Sequence, residues 1–381
     1  MSKSLVRQTD RLTTLVCTSL FAVFAFVYLY CYQADLLTVM QHVFSKGQTH
    51  YNQLVGAIII TVVLVLLQMG VANLCRKARV ASGITFVPSA LALAMLTDVH
   101  FVGGGAFNVG SWSLVLPILL LVYALLVWGS FKTKFSEFVA ERITSPCRKL
   151  WINLAIIFSL MSFVCLSSNG DKAYHARICA EQCLLKDDYD GAIKAIGRCD
   201  KPDTCLTMLT AYALSKKGLL ADRLFEYPLA GRSSSLLPDS GSVRLEMLPY
   251  STIYMYLGGW FTQKMQPRRY FSFMQRHGML NSSAIDYMLC SFLLDKDLNA
   301  FVDNIGKYYT INDSLPKHYK EALLLYTHLH SVPKLMYNND VMNADYQDYQ
   351  KMERSFADGR ERKNELRGTY GNTYWFYYQY E

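Results

Sequence analysis

Acidic residues are scarce in the first part of the chain, and this scarcity limits what that part can be. Residues 1–166 contain five of the 30 Asp and Glu residues but 12 of the 38 Lys and Arg residues. The other 215 residues contain 25 acidic and 26 basic residues, so the formal net charge of +8 belongs almost wholly to the first part. Because this basic excess flanks apolar segments, it indicates membrane topology and argues against a nucleic-acid-binding surface.

Signatures of cofactor and metal chemistry are also missing. The sequence has no phosphate-binding glycine loop, nucleophile elbow or dinucleotide-binding turn in a usable context. Its ten cysteines show no compact pairing of the kind that holds zinc. His175, Cys179 and Cys183 share one helical face, but that face is the one predicted to pack in a core. We therefore expect neither a metal nor a cofactor.

Long apolar runs fill residues 1–166. A helix needs about 20 apolar residues to cross a bilayer, and four segments meet this length: 12–32, 54–74, 112–128 and 150–166. A fifth, 84–96, is shorter and contains Pro88, so it either crosses or re-enters on the same side. The pattern predicts an N-terminal bundle of about five transmembrane helices.

Basic residues fix the orientation of that bundle, because Lys and Arg accumulate on the cytoplasmic side. Eleven of them lie in three segments: Lys3, Arg7 and Arg11; Arg76, Lys77 and Arg79; and Lys132, Lys134, Arg142, Arg148 and Lys149. The intervening segments contain one, Lys46. Five crossings place all three basic segments on one side, whereas four do not. We predict a cytoplasmic N-terminus and an extracytoplasmic part from residue 167 onward.

The second part reads as helical hairpins. The stretch "KDDYDGAIKAIGRC", residues 186–199, predicts a polar hinge followed by a helix. Small residues recur where paired helices would touch or turn: Ala180, Ala192, Gly218, Ala221, Gly258 and Ala300. This spacing resembles the tetratricopeptide repeat (TPR), in which hairpins stack to bury a continuous core. We expect an all-α chain with a TPR-like solenoid at 167–337, interrupted by a loop over 230–249.

Residues 338–381 end the chain with a polar helix and the aromatic tail "TYGNTYWFYYQYE". Tyr and Trp tolerate half-wet sites, so the tail either docks on a surface, including a membrane surface, or forms a last packed helix or strand.

Disulfides are permitted outside the cytoplasm. If the hinge lies near Lys186, antiparallel helices bring Cys179 opposite Cys199, and Cys205 competes for the same partner. The geometry of the Cβ vectors decides between one disulfide and reduced core thiols.

An enzymatic interpretation depends on the predicted outer loops, which contain Asp35, Asp98 and His100. Multi-pass enzymes that act on lipid-linked donors often place a carboxylate there, so these residues are the catalytic candidates. The alternative is that they are ordinary solvated residues.

The layout, together with the stretches "LPKHYKEALLLY" and "YGNTYWFYYQYE", resembles multi-pass inner-membrane proteins of Bacteroidetes-type bacteria that end in a repeat-like outer domain. The resemblance implies a bacterial cytoplasmic membrane and a periplasmic C-terminal domain. We expect a membrane-tethered scaffold that binds an envelope protein or peptide, with an envelope glycan- or lipid-modifying transferase as the alternative.

Overall fold

The structure is a computed structural model that describes residues 3–75, 82–101, 107–108, 110–132, 146–238, 243–259, 263 and 265–381. The chain forms two compact units, unit 1 (Met1–Asp171) and unit 2 (Lys172–Glu381). The expected α-helical class is confirmed, since helices dominate both units. The described residues also contain one small hairpin of two-residue strands, β1 (His100–Phe101) and β2 (Phe107–Asn108), in unit 1.

The helices of unit 1 are α1 (Lys3–Val27), α2 (Ala34–Ser45), α3 (Gln53–Leu74), α4 (Val87–Thr97), α5 (Trp112–Lys132) and α6 (Pro146–Ser167). A π-helical turn, Tyr28–Tyr32, continues α1, and a 3₁₀ turn, Ser82–Phe86, leads into α4.

Four of these elements are long and apolar enough to cross a membrane. They are Arg11–Tyr32, Gln53–Leu74, Trp112–Ser130 and Cys147–Ser167. The predicted fifth segment, 84–96, is present as the shorter apolar helix Ser82–Thr97. Four of the predicted segments are therefore confirmed as helices that are long and apolar enough to cross a membrane.

The short helix is oriented by contacts at both of its ends. At its start, Ser82 Oγ lies 3.1 Å from Thr14 Oγ1 on α1, and the Gly83 amide donates to Asn153 Oδ1 on α6 at 2.6 Å. Just beyond the end of α6, the Asn169 amide donates to the Thr97 carbonyl oxygen at 3.0 Å. The segment Ser82–Thr97 therefore runs parallel to α1 and α6.

Helix α3 runs in the opposite direction along the short helix. Gln68 Nε2 donates to Thr85 Oγ1 at 3.1 Å, and Ser89 Oγ donates to the Leu64 carbonyl oxygen at 2.9 Å. Gln68 and Ser89 are buried, so these bonds satisfy polar groups inside an otherwise apolar bundle.

Unit 2 consists of twelve described helices. They are α7 (Lys172–Leu185), α8 (Tyr189–Ile196), α9 (Thr204–Lys216), α10 (Leu220–Arg223), α11 (Tyr250–Tyr256), α12 (Pro267–Arg276), α13 (Ser282–Leu294), α14 (Leu298–Ile305), α15 (Lys317–Leu329), α16 (Asp340–Ser355), α17 (Gly359–Tyr370) and α18 (Tyr374–Tyr380).

Two of its hairpins use the same hinge chemistry. Asp187 and Lys296 adopt the left-handed conformation after α7 and α13, with φ of 56° and 59°. The next residues, Asp188 and Asp297, cap the second helix by accepting a backbone N–H three residues later. These hairpins are thus one structural design that occurs twice in the sequence.

The packing order departs from a regular stack. Helix α10 packs against α13 and α15, which come three and five helices later in the chain. Helix α9 also contacts α13. The segment before α11 contains a 3₁₀ turn, Ser233–Ser235, and its apolar side chains Leu236, Leu237 and Leu248 are buried. The inserted loop is therefore part of the core of unit 2.

Candidate interaction site

Three helix ends of unit 2 bring tyrosines together. Tyr189 is the first residue of α8, Tyr256 is the last of α11, and Tyr212 lies one turn before the end of α9. The rings of Tyr212 and Tyr256 meet edge to face, with centroids 5.6 Å apart, as aromatic pairs prefer. The Tyr189 hydroxyl donates to Asp187 Oδ1 at 2.7 Å. We call the surface formed by Tyr189, Tyr212, Lys216 and Tyr256 the tyrosine patch.

Within the patch, Lys216 lies over the tyrosine rings because it shares a helical face with Tyr212, four residues earlier. Its Nζ is 4.2 Å from the ring centroid of Tyr256 and 5.5 Å from that of Tyr212. Both distances are within the range of a cation–π interaction. The neighbouring Lys217 is instead ion-paired with Asp190.

Hydroxyl groups lie beneath the patch. The Tyr256 hydroxyl accepts from Ser283 Oγ at 2.9 Å and lies 3.0 Å from Ser215 Oγ. The Tyr287 side chain is fully buried, and its hydroxyl has no hydrogen-bond partner among the described residues. Burial raises the pKa of Tyr287 well above its ordinary value and raises the pKa of Tyr212 to about 12. Both hydroxyls therefore stay protonated and can donate.

Exposed methionines border the patch. Met255, next to Tyr256, is 71% exposed, and Met279 is 38% exposed. The Met279 carbonyl oxygen lies only 2.9 Å from where a Cβ on Gly258 would be, which places Met279 beside the end of α11. Tyr and Met are enriched in the centres of protein interfaces, and flexible methionines adapt to varied apolar partners.

A different polar site fixes the inserted loop to α7. Glu181 is fully buried, and its Oε2 accepts from the backbone N–H groups of Glu246, Met247 and Leu248 at 3.0, 2.6 and 3.0 Å. Burial raises the pKa of Glu181 to about 7, although the three N–H donors and Arg177 act in the opposite direction. This carboxylate holds the loop in the core.

A second buried carboxylate fixes the aromatic tail, which forms the helix α18. Glu321 Oε2 accepts from His318 Nδ1 at 2.9 Å and from the Tyr374 backbone N–H at 2.7 Å. The Trp375 indole donates to the Glu321 carbonyl oxygen at 2.9 Å. Tyr374 and Trp375 are buried, so the tail closes the core of unit 2 as a packed helix.

The catalytic candidates of unit 1 lie on separate elements. Asp35 is in the first turn of α2, where its negative charge interacts favourably with the helix dipole and stabilises the helix. Asp98 follows α4 and accepts from the Trp112 indole at 2.6 Å. His100 begins β1 and is paired with Asn108, and its side chain lies outside the described residues.

The cysteines proposed for a disulfide are thiols in this structure. Cys199 is buried, and its Sγ donates to the Lys201 carbonyl oxygen at 3.3 Å. Cys205 Sγ donates to the Arg244 carbonyl oxygen at 3.3 Å. The pairing of Cys179 with Cys199 stays a prediction.

The small residues predicted at helix contacts have two different roles. Ala180, Ala192 and Ala221 are buried. Gly218 and Gly258 lie at turns after α9 and α11, with φ of 69° and 105°. Ala300 is half-buried, and its amide donates to the Asp297 cap at 3.0 Å.

Sequence reasoning missed the tyrosine patch, Glu181 and Glu321. The patch joins residues up to 67 positions apart, from Tyr189 to Tyr256, and no local spacing connects them. Glu181 gave a usable signal, because a carboxylate next to the seam residue Ala180 is unusual in a predicted core.

Comparison with known proteins identifies one family. The family described as a family of unknown function, DUF6057, matches residues 105–262 and 260–381, which together cover more than half of the chain. No curated protein and no solved structure matches the chain.

Proposed function

Because the chain belongs to the DUF6057 family of unknown function, we propose a function from its geometry. The protein is a membrane-tethered scaffold that presents unit 2 outside the cytoplasm, where the tyrosine patch binds a protein or peptide. The resemblance to bacterial envelope proteins supports the cytoplasmic membrane as the location and the periplasm as the compartment of unit 2.

The orientation is supported by the direction of each helix in unit 1. Segment Ser82–Thr97 begins at the level of Asn153, within α6, and ends at the level of Asn169, just beyond it. It therefore extends through most of the depth of α6 and does not fold back. Helix α5 then begins beside its end, where Trp112 contacts Asp98. Five alternating crossings result, and Ser82–Thr97 is the third.

The positions of the basic residues agree with five crossings. Arg11 lies less than one turn before Thr14, and Lys149 lies one turn before Asn153, so both are at the end of the bundle where the short helix begins. Lys132 ends α5, which runs back toward the same end. Basic residues face the cytoplasm, so Lys172 and all that follows lie outside.

The interaction role is carried by one observation, which is the composition of the tyrosine patch beside its exposed methionine border. Tyr189, Lys216 and Tyr256 are half-buried, and Tyr212 is buried beneath them. Large, rigid tyrosines and adaptable methionines supply binding area at low entropic cost. The paired hinge geometry supports a TPR-like hairpin design in unit 2, and the packing of α10 onto α13 and α15 distinguishes it from a regular solenoid. The patch lies where helices α8, α9, α11 and α13 end or begin, and four elements thus shape one binding surface.

Site-specific photocrosslinking in intact cells tests the proposal. A benzoylphenylalanine replaces Met255 or Tyr189 in the patch, and a matched control replaces Val341, which is 73% exposed on α16. We expect a discrete protein adduct from the two patch positions and none from the control. A glycan or lipid adduct alone, or identical adducts at all three positions, contradicts the proposal.

A further inference from the structure

Lys216 is a cation whose charge is not neutralised within the part of unit 2 that the structure describes. Its ammonium group contacts the faces of Tyr212 and Tyr256, and no carboxylate of the described residues forms an ion pair with it. On the adjoining helix α8 and its hinge, Asp190 pairs with Lys217, and Asp187 accepts from the Tyr189 hydroxyl. Lys216 therefore supplies the available positive charge of the patch.

The hydroxyl of Tyr287 is a second and independent sign of a ligand. It is fully buried and has no partner among the described residues, whereas buried polar groups nearly always have one. Tyr287 lies one helical turn after Ser283 on α13, and the Ser283 hydroxyl donates to the Tyr256 hydroxyl at 2.9 Å, so Tyr287 is on the helix face that meets this cluster. The site thus combines one ammonium with a group of hydroxyls.

We infer that the tyrosine patch binds a carboxylate group of its partner, with Lys216 as the counter-ion and the hydroxyl of Tyr256, which accepts from Ser283 Oγ, as a further donor. This inference rests on the proposed function and names the chemistry of the ligand. A single ammonium suits a monoanionic carboxylate better than a phosphate dianion, which gains from several cations or an arginine fork. The carboxylate belongs either to an Asp or Glu side chain or to a free C-terminus.

The two tyrosine faces prepare Lys216 for this role. A cation held over two rings loses less side-chain freedom on binding than a free lysine does. Lys216 is also a half-buried residue, so its attraction for a carboxylate is less screened by salt than that of a fully exposed pair.

The test uses the full chain in nanodiscs of phosphatidylcholine, whose headgroups have no net charge. Three peptides with a neutral fluorophore and the same apolar frame are compared by anisotropy. The first has two Glu residues and an amidated end, the second has no Glu and a free C-terminus, and the third has neither. We expect saturable binding of the first, the second or both, and none of the third, and the pattern identifies the source of the carboxylate.

Substitutions then locate the site. Lys216→Gln weakens the binding about tenfold or more, and Lys194→Gln, at an exposed position on α8, leaves it within about twofold. Tyr256→Phe, which removes the hydroxyl donor of the patch, also weakens binding, and circular dichroism verifies that each variant is folded. Equal binding of all three peptides, or unchanged affinity in Lys216→Gln, overturns the inference. If crosslinking at Met255 gives the same protein adduct in the parent chain and in Lys216→Gln, the inference is wrong and the proposed function stands. If neither Met255 nor Tyr189 gives a protein adduct in the parent chain, the proposed function is wrong.

Discussion

The amide of Asn169 donates to the carbonyl oxygen of Thr97 at 3.0 Å, and this bond relates the end of the short helix α4 to the end of α6. Because Asn169 lies two residues beyond α6, α4 reaches the same end of unit 1 as a full-length apolar helix. This end point supports the proposal that the short helix crosses the bundle. The side on which unit 2 lies depends on this point, because four crossings reverse it.

The buried Glu181 carboxylate gives a pH dependence. Its pKa is about 7 in the folded chain against an ordinary 4.5, so the folded state binds more protons between these values. The resulting stabilisation is complete below pH 4.5 and is lost as the pH rises through about 7. We expect the urea midpoint of unit 2, followed by pulse proteolysis of the full chain in nanodiscs, to fall between pH 5 and pH 8.

The variant Glu181→Gln loses this slope. At pH 5, where Glu181 is protonated, the amide oxygen of Gln accepts from the loop N–H groups about as well as the neutral carboxyl does, so the variant should change the free energy of unfolding there by less than about 1 kcal/mol. Glu365→Gln, at an exposed position of α17, keeps the slope of the parent chain. A parent chain with no change between pH 5 and pH 8 contradicts this assignment.

Two glycines that follow helices of unit 2 differ in backbone conformation, and this difference predicts different effects of substitution. Gly218 has a φ of 69°, and a Cβ there has open space around it, so only backbone conformation opposes a side chain. Gly218→Ala should lower the free energy of unfolding by about 1 kcal/mol. Gly197 has a φ of −62°, and Gly197→Ala should change it by less than about 0.5 kcal/mol. Urea unfolding of both variants checks this, and equal effects contradict it.

Trp375 tests the role of the aromatic tail. Its side chain is 3% exposed, and its indole donates to Glu321. Trp375→Ala should lower the free energy of unfolding of unit 2 by about 3–5 kcal/mol. Gln379→Ala, on the exposed face of the same helix, should change it by less than about 0.5 kcal/mol. A tail that serves as a membrane-surface segment instead predicts little loss of stability from Trp375→Ala and a loss of bilayer contact.

Local chemistry made part of the fold readable from the sequence. The hinge over residues 186–188 combines a left-handed residue with an Asp cap, and both features lie within a few positions of each other. Four membrane-length helices follow from composition alone, because any helix in hydrocarbon needs about 20 apolar residues.

The rest of the molecule depends on contacts between distant positions. Glu181 meets the loop 65 residues later, and the packing of α10 on α15 skips the elements in between. Neither contact leaves a periodic signal, since each joins a single residue or one short helix to a remote segment. The tyrosine patch belongs to the same class, and only the folded chain shows that Lys216 and Tyr256 meet.

Reporter fusions measure the central claim most directly, which is that unit 2 lies outside the cytoplasm. Alkaline phosphatase and a cytosolic fluorescent protein are each fused after residue 78, residue 110 and Glu381, which is exposed. The account predicts phosphatase activity at 110 and 381 and fluorescence at 78 alone. Fluorescence without phosphatase activity at both 110 and 381, with the fusion at 78 unchanged, contradicts it and returns α4 to a re-entrant helix.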